Sequence, residues 1–294
     1  MTPPERPAVA AARRIVLKIG TRVITHDDGR LALPRFFSVV EAAARLRGEG
    51  REVLIVSSGA VGLGMETLGF DSMPRELEMR QACAAVGQTR LMGLYEQGFQ
   101  LLGYVCGQLL LTRDDFDDGV SYRNLHNTLS TLLEREVIPI INENDAISTE
   151  ELAYGSGERH RLFGDNDGLS ALVATRLEAD LLVLLTDVDG VFDRDPRQHA
   201  DASLVERIDI GGERIESVGT AGAANSVAGR GGMKSKLEAA SRAACAGCQA
   251  IIASGRAVES WPELFAGGTV GTWFPAVAER PVETTGNKSV EKQE

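Results

Sequence analysis

An α/β fold, with an open, mainly parallel β-sheet sandwiched between helices, is expected from three features of this sequence. Five short apolar runs, at residues 14–19, 52–56, 104–111, 137–141 and 181–185, read as strands buried on both faces. Between them lie segments with helical periodicity, at 34–47, 78–102, 121–136 and 168–177. Glycines mark the joints, at Gly20, Gly50, Gly59, Gly103, Gly164 and Gly190, and several follow a strand end directly. Strands alternating with helices in this way pair in parallel through right-handed crossovers.

The second half continues the pattern less regularly. A turn is expected at 187–190, a strand-like stretch at 190–193, a helix at 232–246, a strand at 249–254 and a last strand within 269–274. Residues 1–13 read as an N-terminal tail and 14–275 as one domain. The polar segment 276–294 reads as a disordered C-terminal tail. No internal repeat of fixed period is visible.

Composition narrows the function classes. The 294 residues are 43% hydrophobic, ample for a core on both faces of a sheet. A formal net charge of −11 argues against nucleic acid held through a basic surface. No apolar stretch approaches the roughly 18 to 20 residues of a membrane span, and the N-terminus lacks a signal-peptide core, so a soluble cytoplasmic protein is expected. Cys83, Cys106, Cys245 and Cys248 are too dispersed for a disulfide framework, and Cys245 to Cys248 reads as packing at a helix end. The four histidines form no Ser/His/Asp or zinc-ligand pattern.

In open parallel sheets, ligands bind beyond the carboxyl ends of the strands. That rule collects Gly20, Ser57, Ser58, Asn142, Asp145, Thr186 and Asp187 along one edge. Lys18 ends an apolar strand beside Gly20; it suits a phosphate, or simply reaches solvent. Residues 56–60, Val-Ser-Ser-Gly-Ala, read as strand, small turn and helix, with free backbone N–H groups suited to an anion. Neither a P-loop nor a Gly-x-Gly-x-x-Gly opening is present.

Gly231, Gly232, Met233, Lys234, Ser235 and Lys236 precede a strong helix former. Cations at a helix N-terminus oppose its dipole, so an anion between the lysines is expected, with Lys236 on phosphate. Met233 also suits a gap between helix and sheet. Asp187 and Asp189 suit a metal or ribose hydroxyls, although an Asp-Gly turn accounts for Asp189 and Gly190.

Two clusters restrict the chemistry most: Asn142, Glu143, Asn144 and Asp145, and then Gly164, Asp165, Asn166 and Asp167. Helix capping needs one such side chain, and these clusters exceed it. Carboxylates beside phosphate-binding lysines imply a second substrate bearing an ammonium, which carboxylates and amide oxygens accept, with a metal ion offsetting the remaining negative charge.

Together these motifs resemble the amino acid kinase superfamily and, within it, the glutamate 5-kinase family. The resemblance runs from about Arg14 to Phe274. Its most specific strings are Ile141-Asn142-Glu143-Asn144-Asp145, Gly164-Asp165-Asn166-Asp167, Leu185-Thr186-Asp187 and the stretch from Gly231 to Lys236. The strings Gln108-Leu109-Leu110-Leu111-Thr112 and Ala84-Ala85-Val86-Gly87-Gln88 are similar as well.

The resemblance implies that Lys18 and Lys236 neutralise a transferring phosphoryl group and that Asp167 orients them. It implies L-glutamate binding by Ser58, Asp145 and Asn166. It places ATP on Lys18, Thr186, Asp187 and the stretch Gly231, Gly232, Met233, Lys234, Ser235 and Lys236. The implied reaction moves the ATP γ-phosphoryl group to the side-chain carboxylate of L-glutamate, the first step of proline biosynthesis. Mg²⁺ would be held mainly by the ATP phosphates rather than by protein ligands. L-Proline as feedback inhibitor and a homo-oligomer, dimer or tetramer, are implied too.

Three departures from the family pattern stand out. Arg230 occupies a position that commonly holds threonine, 153–163 is longer than the loop of many relatives, and a short form without the C-terminal PUA domain of many bacterial relatives is expected. The alternatives are another kinase of the same superfamily, a non-catalytic glutamate or proline sensor, and a structural subunit.

Overall fold

The computed structural model describes residues 5–112, 114–117, 119–147, 166–210 and 232–277. Among them seven strands form one sheet: β1 (Arg14–Ile19), β2 (Glu52–Ser57), β3 (Cys106–Leu111), β4 (Ile138–Glu143), β5 (Leu181–Thr186), β6 (Gln249–Ser254) and β7 (Thr272–Phe274). Their order is β3-β4-β2-β1-β5-β6-β7. Every neighbouring pair is parallel except β6 and β7, which are antiparallel. The expected open, mainly parallel sheet is thus present.

The helices are α1 (Pro7–Ala10), α2 (Thr21–Ile24), α3 (Leu33–Gly48), α4 (Ala60–Leu68), α5 (Leu77–Leu101), α6 (Asp114–Asp117), α7 (Gly119–Glu134), α8 (Asn166–Arg176), α9 (Met233–Cys245) and α10 (Trp261–Phe265). Strand alternation divides the core into two layers. Ile15, Leu17 and Ile19 of β1 pack with Phe36 of α3 and with Tyr95 and Phe99 of α5 on one face. Val16 packs on the other face with Leu129 of α7, Val173 of α8 and Ala240 of α9. Full burial of a Leu, Ile or Phe side chain contributes about 1.5–3 kcal/mol, so these layers dominate the favourable side of folding.

The same alternation decides where polar residues at the strand ends point. Lys18 follows Val16 onto the α8–α9 face, in the middle of the sheet, between Val56 of β2 and Leu184 of β5. Asn142 follows Ile138 and Ile140 onto the α5 face. Ser57, expected at the ligand edge, turns instead into the α5 layer, where it is fully buried and its hydroxyl lies 2.9 Å from that of Tyr95.

Some elements differ from the expectation. The strand-like stretch at 190–193 makes one isolated bridge, Phe192 with Leu204. Its backbone is satisfied by other means: the Val191 N–H donates to the Thr272 hydroxyl, and the Val191 carbonyl accepts from Val205 N–H. Residues before β1 carry α1, with Val9 and Ala12 buried, and Arg6 donates to the carbonyls of Val270, Glu206 and Gly271. The expected C-terminal tail lies outside the described residues beyond Val277. Among the described residues no helix is long and apolar enough to cross a membrane.

The helix expected after Gly59 is α4. Gly59 adopts φ +107°, a left-handed conformation that turns the chain sharply from Ser58 into the helix. Helix α4 then packs on α5 backbone to backbone. A Cβ added at Gly87 would fall 1.7 Å from the Ala60 carbonyl oxygen, and one at Gly64 would fall 1.8 Å from that of Cys83. Neither obstacle is a side chain that can swing away, so Gly87→Ala should cost about 1–3 kcal/mol or more of stability. The urea midpoint reads this directly, and an unchanged midpoint would contradict the packing described.

Candidate active site

Helix α8 begins where β1 ends in space, and Asp167 lies in its first turn with no solvent exposure. A carboxylate is favoured at a helix N-terminus, where free N–H groups gather. Lys18 Nζ lies 2.7 Å from Asp167 Oδ1, and Lys236 Nζ lies 3.1 Å from Oδ2. The Ser235 hydroxyl donates to Oδ2 at 2.6 Å. Burial works to raise the Asp167 pKa, but the two ammonium groups outweigh it and hold the carboxyl far below the usual carboxylate range.

This arrangement answers the conflict at the start of α9. Lysines in a first helical turn oppose the dipole. The protein supplies the offsetting anion itself, since Lys236 faces Asp167. Lys234 is exposed and pairs instead with Glu238 at 3.9 Å, so it does not join the cluster. Among the described residues of the cluster, two lysines face one aspartate.

A second cluster lies beside the first. Asn166 Nδ2 donates to the Ser58 hydroxyl at 3.1 Å and to Asn142 Oδ1 at 3.0 Å. Asn142 Nδ2 in turn donates to Gln88 Oε1 at 2.8 Å. Asp145 is buried just after β4.

Both clusters open on one cleft of about 1000 Å³ at the carboxyl ends of the strands. Its walls include Lys18, Gly20, Ser58, Asn142, Asp145, Asn166, Thr186, Asp187, Gly232, Met233 and Lys236. Asp167 and Ser235 stand behind that wall and touch the lysine or one another rather than the open space. Asp189 is exposed and takes no part. A smaller hollow of about 180 Å³ between α3 and α10 includes none of these residues.

The far wall adds cations that sequence patterns did not single out: Arg22, Arg194, Arg197 and Arg256. Arg197 lies 3.0 Å and Arg22 3.6 Å from Asp187 Oδ2. Burial raises the Asp187 pKa, yet its own backbone N–H, these arginines and the Thr186 hydroxyl together lower it below the ordinary value. Gln88 was likewise outside the expected site. Its signal was a polar side chain on the face of α5 that also buries Cys83, Ala84 and Leu91. Gly164, Asp165, Arg230, Gly231 and the loop 153–163 lie outside the described residues. Among the described residues no three His, Cys, Asp or Glu side chains converge as a metal site.

The profile of the amino acid kinase family matches residues 13–254. A glutamate 5-kinase of Marinomonas sp. (strain MWYL1) is 44% identical over 269 residues, covering 92% of this chain and 69% of the relative. The chain belongs to the amino acid kinase family, among the glutamate 5-kinases. A second glutamate 5-kinase, of Caldanaerobacter subterraneus subsp. tengcongensis, is 42% identical and covers 89% of this chain and 67% of its own length. Among solved structures, carbamate kinase from Giardia lamblia superposes with a TM-score of 0.61 at 15% identity, over 90% of this chain and 99% of that one. At that identity the likeness speaks for the amino acid kinase fold alone.

The Asp167 cluster has a measurable pH signature. Its folded-state pKa lies below the unfolded value, so the stabilisation is complete above about pH 4 and is lost as pH falls toward the folded value. Asp167→Asn should therefore cost about 3–5 kcal/mol at pH 7, because it leaves two buried lysines uncompensated. In urea denaturation the gap from the unmodified protein should narrow progressively below about pH 4. A gap independent of pH would contradict the assignment.

Proposed function

We propose that this glutamate 5-kinase transfers the γ-phosphoryl group of ATP to the side-chain carboxylate of L-glutamate, forming L-glutamyl 5-phosphate for proline biosynthesis. The observation that carries the proposal is the pair of buried lysines bridged by Asp167 beside the amide and carboxylate cluster of Ser58, Asn142, Asp145 and Asn166. One end of the cleft suits phosphoryl oxygens, the other an amino acid.

In this reading Lys18 and Lys236 contact the transferring phosphoryl group, and their positive charge offsets negative charge spread over its oxygens in the transition state. Asp167 acts through the lysines, fixing both ammonium groups before substrate arrives. Ser235 holds Asp167 from behind. The acceptor is a carboxylate already ionised at neutral pH, so no general base is required, and the chain's task is positioning.

Asp145 and the Asn166 amide oxygen receive the glutamate ammonium, and Ser58 lies within reach of the same amino-acid group. Thr186 and Asp187, with Gly232 and Met233, border the nucleotide. Mg²⁺ fits the donor set only as an ion carried by phosphate oxygens, since the aspartates of the cleft wall, Asp27, Asp145, Asp187 and Asp195, form no cage among the described residues. Bound there, it would neutralise phosphate charge.

A coupled assay with ATP, Mg²⁺ and a panel of glutamate, aspartate, N-acetylglutamate, carbamate and UMP tests the proposal. Glutamate should be preferred, and preference for any other acceptor would overturn it. Lys236→Ala should lower kcat by about 100-fold or more with a small effect on the glutamate KM. Asp145→Ala should raise that KM by about 10- to 100-fold while sparing kcat. The reverse pattern would refute the division of roles.

A further inference from the structure

We propose that Gln88 is a positioning residue for glutamate recognition: it occupies the donor of Asn142 and so keeps the Asn166 amide oxygen available to the substrate ammonium. The proposal rests on the functional reading above and adds a residue that lies outside the cleft wall.

The orientation of the amide chain follows from one donor that cannot be reversed. Backbone Glu143 N–H donates to the Asn142 side chain at 2.9 Å, so the atom facing it must be oxygen. The same Oδ1 accepts from Asn166 at 3.0 Å, which requires Asn166 to present its Nδ2 there. Asn142 Nδ2 then faces Gln88, whose Oε1 accepts at 2.8 Å. What remains at the other end is Asn166 Oδ1, buried and without a hydrogen-bond partner among the described residues. Asn166 lines the cleft, whereas Gln88 does not.

A buried acceptor left in this way carries a desolvation cost unless a ligand donor meets it. An ammonium is such a donor. Without the Gln88 oxygen, Asn142 Nδ2 would be a buried donor lacking an acceptor. Any rotation of Asn142 in search of one would break its Oδ1 contacts with Glu143 N–H and Asn166 Nδ2, and with them the orientation that leaves the Asn166 oxygen to the substrate. Gln88 holds Asn142 in place by satisfying that donor. Its own position is secured by the adjacent Gly87, whose contact with the Ala60 carbonyl locks α5 against the turn that bears Ser58.

The test compares Gln88→Met, which keeps length and removes the acceptor, with Gln88→Glu, which keeps an acceptor oxygen. Glutamate KM, kcat and ATP KM are measured, together with inhibition by glutarate, which has both carboxylates but no ammonium. Gln88→Met should raise glutamate KM about 10- to 100-fold, leave kcat and ATP KM within about twofold, and leave glutarate inhibition little changed. Discrimination between the two diacids should fall accordingly. Gln88→Glu should retain it.

An unchanged glutamate KM in Gln88→Met, or equal weakening of glutamate and glutarate, would overturn the proposal. If Gln88→Met does not fold, Gln88→Glu decides alone, since loss of discrimination in that variant contradicts the role. Failure of the unmodified protein to phosphorylate glutamate would instead remove the functional reading itself, a separate outcome seen before any variant is made.

Discussion

Asp167, a carboxylate shut off from solvent, binds two ammonium groups that enter from opposite ends of the chain, and the rest of the site is arranged around that bridge. Lys18 comes from the first strand and Lys236 from a helix more than two hundred residues later. Burying either lysine alone would be costly, because an unpaired charge in a packed interior loses its hydration without compensation. Sharing one aspartate makes both tolerable. The bridge also ties β1, α8 and α9 together, so the geometry of the proposed phosphoryl site and the packing of the second core layer are one constraint.

Beside this charged bridge the neutral amide chain does a different job. Ser58, Asn142 and Asn166 come from three separate segments, and backbone elements orient them: the end of β4, the first turn of α8 and the left-handed Gly59 turn. Carboxylates near phosphate-binding lysines first look like a conflict of charge. In the proposed reaction they separate into an amino-acid end and a phosphoryl end, with Asn166 and Asp167 as neighbours in sequence that face one end each.

Much of the sheet was legible because buried parallel strands leave continuous apolar runs, and β1, β2, β4, β5 and β6 all do so. Lys18 and Lys236 stood out as phosphate candidates and Asp167 as part of an acidic cluster, their joint role came from the family resemblance, and the convergence of both lysines on one carboxylate is a property of the fold. Ser57 and Ser58 illustrate what local pattern does not resolve. Adjacent serines look equivalent in a strand-end motif, but alternation sends Ser57 to Tyr95 and leaves Ser58 at the cleft. The stretch 190–193 looked like a strand from its turn and apolar residues, yet its partners are a side-chain hydroxyl and a short opposing segment. Arg22 and Arg197 carried no signal, since they meet over Asp187 only after α2 and the loop that follows β5 are brought together. Gln88 did carry one, as a polar residue on a buried helical face beside a glycine.

The central claim is that Asp167 serves the chemistry through the two lysines rather than by touching substrate. A double-mutant cycle on kcat measures this coupling, using Asp167→Asn, Lys236→Met and the two together in the glutamate and ATP assay. If the aspartate works through the lysine, the second substitution should cost far less in the background of the first than in the unmodified protein. Strictly additive losses would mean that Asp167 and Lys236 act independently, and would contradict the account.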